Sequence, residues 1–185
     1  MQVEEIISRL RSGQVGVMPS DTVYGLMCVA RDPNAVAQLY RLKQRDSKPG
    51  TLIGASTEQF IELGLAEEDL ILAQHYWPGP VSVVVPGSTT SEYLHQGKDS
   101  LAVRIPDNTL LQEICRETGA LQTSSANITG QPVATTIDQA RAYFGDKVDF
   151  YVDGGDLSHN QPSTIIQIKD GVTNVLRQGA QQVVS

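Results

Sequence analysis

Lys43, Arg45 and Lys48 place three cations within six positions, where a helical stripe of apolar residues gives way to a strand-like run. Lysine offers a compact point charge and arginine a planar fork, so the trio suits the oxygens of a phosphate chain. The same residues also suit a simpler duty, because cations commonly close a helix C-terminus. Arg104 lies inside the apolar run Leu101-Ala102-Val103-Arg104-Ile105, and Arg177 follows Val175-Leu176. Each either faces solvent or clamps a carboxylate or phosphate.

Ser124-Ser125-Ala126-Asn127 follows a predicted strand and precedes Gly130. Hydroxyls and an amide at a strand end serve either as turn formers or as hydrogen-bond partners for a polar ligand. A serine nucleophile needs an activating base. The segment lacks the G-x-S-x-G elbow, and His75, His95 and His159 stand in no recognisable motif, which argues against a hydrolase. Gly97-Lys98 is not a Walker A loop: Glu92 stands where its first glycine belongs and Asp99 where Ser or Thr belongs. No G-x-G-x-x-G occurs, so a nucleotide would be held outside both common fingerprints. Asp153-Gly154-Gly155-Asp156 reads as a turn rather than a metal loop.

These residues fall at the ends of predicted elements. Val3, Ile6, Ile7 and Leu10 mark a helix over 3–11, stopped by Gly13. Residues 15–18 form a short strand, and Pro19-Ser20-Asp21 opens a loop. Asp32-Pro33 supplies an N-cap and a first-turn proline for a helix that uses Val36, Leu39, Tyr40 and Lys43. Strands are predicted over 51–55, 81–85, 101–105, 121–124, 150–152, 163–168 and 172–176. Further helices are predicted over 56–63, 67–77 and 108–118. Another runs from the capping box Thr136-Ile137-Asp138-Gln139 to Phe144, with Gly145 as its stop. Strands and helices interleave without repeats or linkers, which predicts one mixed α/β domain over residues 1–185.

An apolar fraction of 40% and a charged fraction of 19% fit an ordinary globular protein. The net charge of −7 excludes a global field that draws nucleic acid, so RNA contact would need a local basic patch. Cys28 and Cys115 have no metal spacing and suit buried thiols in a reducing compartment. Acids near Met1 do not suit a signal peptide, and no apolar run approaches a membrane span. A cytoplasmic protein without membrane contact is expected.

The ordered motifs resemble the YrdC family, the threonylcarbamoyl-adenylate synthases. The matching stretches are Pro19 to Leu26, Lys43 to Arg45, Trp77 to Pro80, Ala102 to Pro106, Ser124 to Gly130, Ser163 to Ile166 and Leu176 to Gly179. The resemblance implies a nucleotidyltransferase that joins L-threonine, bicarbonate and ATP into threonylcarbamoyl-AMP and pyrophosphate. The product would serve threonylcarbamoyladenosine formation at position 37 of tRNA, with tRNA and the downstream transfer proteins as further partners. It implies an open mixed sheet with helices around a large concave cavity. Thr22, Arg104, Ser125 and Ser163 would contact threonine. Lys43, Arg45, Lys48, Asn127, Thr135 and Arg177 would line the nucleotide, with Lys43 and Arg45 as the catalytic cations. Mg²⁺ would arrive with ATP and take few protein ligands.

Ser20 replaces the more usual Thr and keeps the hydroxyl. Ile53 lies in a region where some family forms carry a His near threonine, and it cannot make that polar contact. The chain's end matches the short form without an extra C-terminal domain. A non-catalytic RNA-binding or ribosome-associated paralogue of the same fold is an alternative. So is a transferase that uses another amine.

Overall fold

Short apolar runs broken by Gly and Pro build one mixed sheet. The computed structural model describes residues 1–44, 48–87, 89–169 and 171–184, so Arg45 lies outside the described residues. Among these the strands are β1 (Gly16–Pro19), β2 (Tyr24–Val29), β3 (Thr51–Ile53), β4 (Val81–Pro86), β5 (Ser100–Arg104), β6 (Leu121–Ser125), β7 (Phe150–Tyr151), β8 (Thr164–Lys169) and β9 (Val172–Arg177). They form one sheet in the order β7-β1-β2-β6-β3-β5-β4-β8-β9. Pairing is antiparallel except for β1 with β7, β3 with β5 and β4 with β8.

Helices flank this sheet. They are α1 (Val3–Arg11), α2 (Pro33–Lys43), α3 (Glu58–Ile61), α4 (Glu67–Ile71), α5 (Glu92–His95), α6 (Thr109–Thr118) and α7 (Ile137–Phe144). Local chemistry sets several of their ends. The Asp32 carboxylate accepts from the N–H groups of Asn34 and Ala35, Asn108 caps α6, and Thr136 caps α7. The Gln139 side chain reaches one residue further back than a simple capping box, accepting from Thr135 N at 2.8 Å.

The two sheet faces are covered differently. On one, Val17, Leu26, Leu52, Val83, Val103 and Ile166 pack in one core with Val36 and Leu39 of α2, Leu94 of α5 and Phe144 of α7. On the other, Met18, Met27, Ile53 and Leu121 pack against Ile6 and Leu10 of α1 and Leu111 and Ile114 of α6. Strand side chains alternate between faces. Gly25, Thr51, Thr123 and Ser125 therefore share the second face with Met27, Ile53 and Leu121. There they line a cavity. Ile53 is fully buried in that second core, which is why it carries no polar duty.

Three elements depart from the sequence reading: the helix expected over 67–77 is α4 followed by a 3-10 turn (Ala73–Tyr76), and neither α5 nor β2 was expected. Residues 24–29, assigned to no element in the sequence reading, form β2, which pairs with both β1 and β6. Its first five residues are buried, so no period-2 alternation marks it. Among the described residues, no helix is long and apolar enough to cross a membrane.

Candidate active site

Ser20 builds the first wall of the cavity. Its hydroxyl accepts from the N–H groups of Thr22 and Val23 at 3.1 Å each and donates to Val23 O at 2.7 Å. It also lies 2.9 Å from the Thr22 hydroxyl. This tight polar turn leads from β1 into β2 and presents Thr22 to the cavity. Tyr24, buried below, donates its hydroxyl to Gly155 O and accepts from Gly154 N, both at 2.8 Å. The Asp153 to Asp156 segment is irregular chain tied to the core rather than a regular turn, with Asp153 Oδ1 accepting from Gly155 N at 2.9 Å.

Arg104 stands at the end of β5, 5% exposed. It does not face solvent. Its Nη1 donates to Ser82 Oγ and its Nη2 to Asp21 Oδ1, both at 3.0 Å. Ser82 donates in turn to Ser163 Oγ at 3.0 Å. The register of β4 with β5 and β8 makes this possible, since Val83 pairs with Val103 and Ser82 with Ile165. Arg177, exposed at the end of β9, donates to Ser163 O at 2.7 Å. Burial pushes the Asp21 carboxyl above its usual range, against the opposing pull of Arg104.

Lys43 closes α2 and is 2% exposed. Its ammonium donates to Ser125 O at 2.7 Å, Asn127 O at 2.7 Å and Asn127 Oδ1 at 2.6 Å, with Ser125 Oγ at 3.4 Å. An exposed helix-end cation, the simpler sequence reading, is therefore excluded. The position continues the apolar stripe of α2, so the side chain points inward and only its tip finds polar company. Asn127 lies in the bend after β6 rather than in extended chain. Its Oδ1 accepts from Ser125 Oγ at 2.7 Å and its Nδ2 donates to Gln131 O at 2.6 Å. The two side chains are joined to each other, not projected in parallel.

The resulting cavity has a volume of about 170 Å³ and is lined by Thr22, Arg104, Ser125, Ser163 and Arg177 among others. It thus brings together residues from five separate stretches of sequence. Lys43 lies behind Ser125. Exposed Lys48 precedes Pro49 and Gly50, which line the cavity, and Thr135 follows the lining residue Val133 at a distance of two positions. Thr135 bonds to Gln139 of α7. Ser82 and Asp21 were not singled out from the sequence. Ser82 shows only as a hydroxyl interrupting Val81–Val85, and Asp21 only as one letter of a motif. Among the described residues, no three His, Cys, Asp or Glu side chains gather as a metal cage.

A family model for Sua5, YciO and YrdC proteins, carrying the description telomere recombination, matches residues 8–179. The chain belongs to this family. Within the Sua5/YciO/YrdC family, a threonylcarbamoyl-AMP synthase of Vibrio campbellii is 35% identical over 184 residues, covering 95% of this chain and 98% of that protein. Sua5 of P. abyssi, solved in complex with L-threonine, is 30% identical with a TM-score of 0.84, covering 96% of this chain. The chain spans about half of that Sua5, 54% of its length. E. coli YciO, 22% identical with a TM-score of 0.83, covers 97% of this chain and 90% of its own and shares the fold.

Proposed function

We propose that this chain is an L-threonylcarbamoyladenylate synthase. It joins L-threonine, bicarbonate and ATP into threonylcarbamoyl-AMP and pyrophosphate, for threonylcarbamoyladenosine formation at position 37 of tRNA. The observation that carries this is one cavity holding a buried guanidinium among three hydroxyl-bearing residues, Arg104 with Thr22, Ser125 and Ser163. That set matches a small amino acid with a carboxylate and a hydroxyl. The namesake activity of the Vibrio campbellii relative, nearly full-length in its match, supports it.

In this reading Arg104 holds the threonine carboxylate while Thr22, Ser125 and Ser163 fix its polar groups. Sites enclosing a whole drug-sized ligand usually measure roughly 300–1,000 Å³. The cavity is smaller, so it encloses the amino acid and its one-carbon addition, while ATP lies across the mouth. Arg177, Lys48, Asn127 and Thr135 serve the nucleotide there, and Arg45 is assigned to it by its motif alone. Lys43 and Arg45 are the charge stabilisers, Lys43 from behind the 125–127 segment that it holds. The carbamate oxygen attacks the α-phosphorus and pyrophosphate leaves, with no protein nucleophile. Positioning and preorganised charge lower the barrier. Mg²⁺ bound to ATP would neutralise its phosphates, with few ligands from the protein.

Bicarbonate, tRNA and the transfer proteins downstream complete the set of partners. Two free buried thiols, Cys28 and Cys115, suit the cytoplasm. The test is pyrophosphate release from ATP with threonine and bicarbonate each omitted in turn. Release that depends on both is expected. Equal release without bicarbonate rules out the carbamate route.

A further inference from the structure

Asp21 has no part in the reaction as described above, yet its side chain is only 4% exposed and sits on the guanidinium assigned to threonine. Its Oδ1 accepts from Arg104 Nη2 at 3.0 Å. Its Oδ2 is buried without a hydrogen-bond partner, and so is Arg104 Nε. Buried polar groups are normally paired, and an orphan needs an explanation. Here an orphan acceptor and an orphan donor belong to the two halves of one ion pair. A zwitterionic amino acid complements both, its ammonium donating to the carboxylate and its carboxylate accepting from the guanidinium.

The position of Asp21 adds a second observation. Its neighbour Thr22 lines the cavity on one side and, together with Asp21, an open polar cleft on the other. His159, Asn160 and Gln161 form part of that cleft. Asp21 itself lines the cleft, while Thr22 beside it and Arg104 bonded to it line the enclosed cavity, so the carboxyl lies between the two.

We propose that Asp21 accepts the proton of the threonine ammonium and so frees the amine to form the carbamate. The inference rests on the synthase reading above. The ammonium passes one proton to Asp21 Oδ2, giving a neutral amine and a carboxylic acid. The amine nitrogen then bonds to the carbon of bicarbonate, and the departing hydroxide takes a second amine proton and leaves as water. Asp21 returns its proton to solvent through the polar cleft. Burial raises the affinity of this carboxyl for a proton, while Arg104 on β5 opposes it and the charge of Asp107 reinforces it. His159 is the titratable group in the adjoining cleft.

Asp21→Asn and Asp21→Glu separate this role from simple support of Arg104. Pyrophosphate release is followed at saturating bicarbonate from about pH 6 to about pH 9.5, a range that spans α-amine ionisation. At about pH 7 the Asn variant should lose at least roughly 100-fold in kcat, the scale of a lost general base. The deficit should shrink as pH rises and the amine arrives already deprotonated. The Glu variant should keep activity within about tenfold at that pH, because its carboxylate still accepts the proton. A deficit in the Asn variant that stays constant with pH, or that appears as threonine KM with kcat preserved, makes Asp21 a prop for Arg104 and overturns the proposal. If the Asn variant fails to fold, the unmodified protein decides: kcat must fall on the acid side above the ordinary Asp range of about 3.9. A flat acid side overturns the proposal. Release by the unmodified protein that ignores threonine or bicarbonate instead refutes the synthase reading itself.

Discussion

Lys43 Nζ lies 2.6 Å from Asn127 Oδ1, and the same oxygen accepts a 2.7 Å bond from Ser125 Oγ. The end of α2 and the end of β6 are therefore locked through one amide. Thr129 reinforces the lock, its N and Oγ1 donating to Lys43 O at 3.1 and 2.8 Å.

Lys43→Met should cost stability as well as turnover. The methionine fills the stem's place in the core but leaves the carbonyls of Ser125 and Asn127 short of a donor. Hydrogen bonds to charged groups contribute roughly 1.5–3 kcal/mol each, so a total loss on the order of 3 kcal/mol is expected. Urea unfolding measures it. A variant with an unchanged midpoint contradicts the buried role.

Ser125→Ala and Asn127→Ala should differ in what they weaken. Ser125 lines the cavity, so its loss should lower threonine affinity by about 1–3 kcal/mol, the cost of an unmade bond in a desolvated site. Asn127 is held by Lys43, Ser125 and Gln131, so its loss should loosen the whole segment and weaken both threonine and ATP. Titration calorimetry on the two variants distinguishes them. Unchanged binding of both ligands in both variants would move the site elsewhere.

Gly179→Ala should disable the site through the backbone. A Cβ there would stand 2.2 Å from Pro162 O and 2.7 Å from Ser163 O. Gly179 N also donates to Thr164 Oγ1, and Ala180 N to Pro162 O. The segment carrying Ser163 must then shift away from Arg177 and Ser82. Threonine binding should fall at least roughly tenfold, about 1.4 kcal/mol. Isothermal titration checks this. Parental affinity would show that Ser163 is not set by this contact.

The two thiols make an alkaline prediction. Burial pushes the Cys115 thiol up to about 12 and raises Cys28 as well. In the unfolded chain a cysteine ionises near about 8.5. Above that pH the unfolded state binds fewer protons than the folded state, so folding stability is intact below it and falls as pH rises. Urea midpoints should drop from about pH 8.5 upward, before the raised tyrosines Tyr24, Tyr93 and Tyr151 contribute. Replacing both cysteines with alanine should flatten that early slope. Maleimide labelling of either thiol in the native protein would contradict their burial.

The sequence by itself carried the element types where a local rule decides them. Asp32-Pro33 starts a helix because the carboxylate and the ring act within one turn. Lys43 belonged to the α2 stripe by period alone. The motif order also named Thr22, Arg104, Ser125 and Ser163 and the family to which the chain belongs. Only the tertiary structure decided which way those side chains point. Whether Arg104 met solvent or a cleft depended on β4, which supplies Ser82, and on the residue just before β8, Ser163, from far along the chain. β2 stayed hidden because both its faces are buried, which erases alternation. Asp21 and Ser82 stayed hidden because each looks ordinary beside its sequence neighbours. Strand register brings Ser82 to the Arg104 guanidinium and the turn between β1 and β2 brings Asp21 there, and register is a property of paired strands rather than of any one segment.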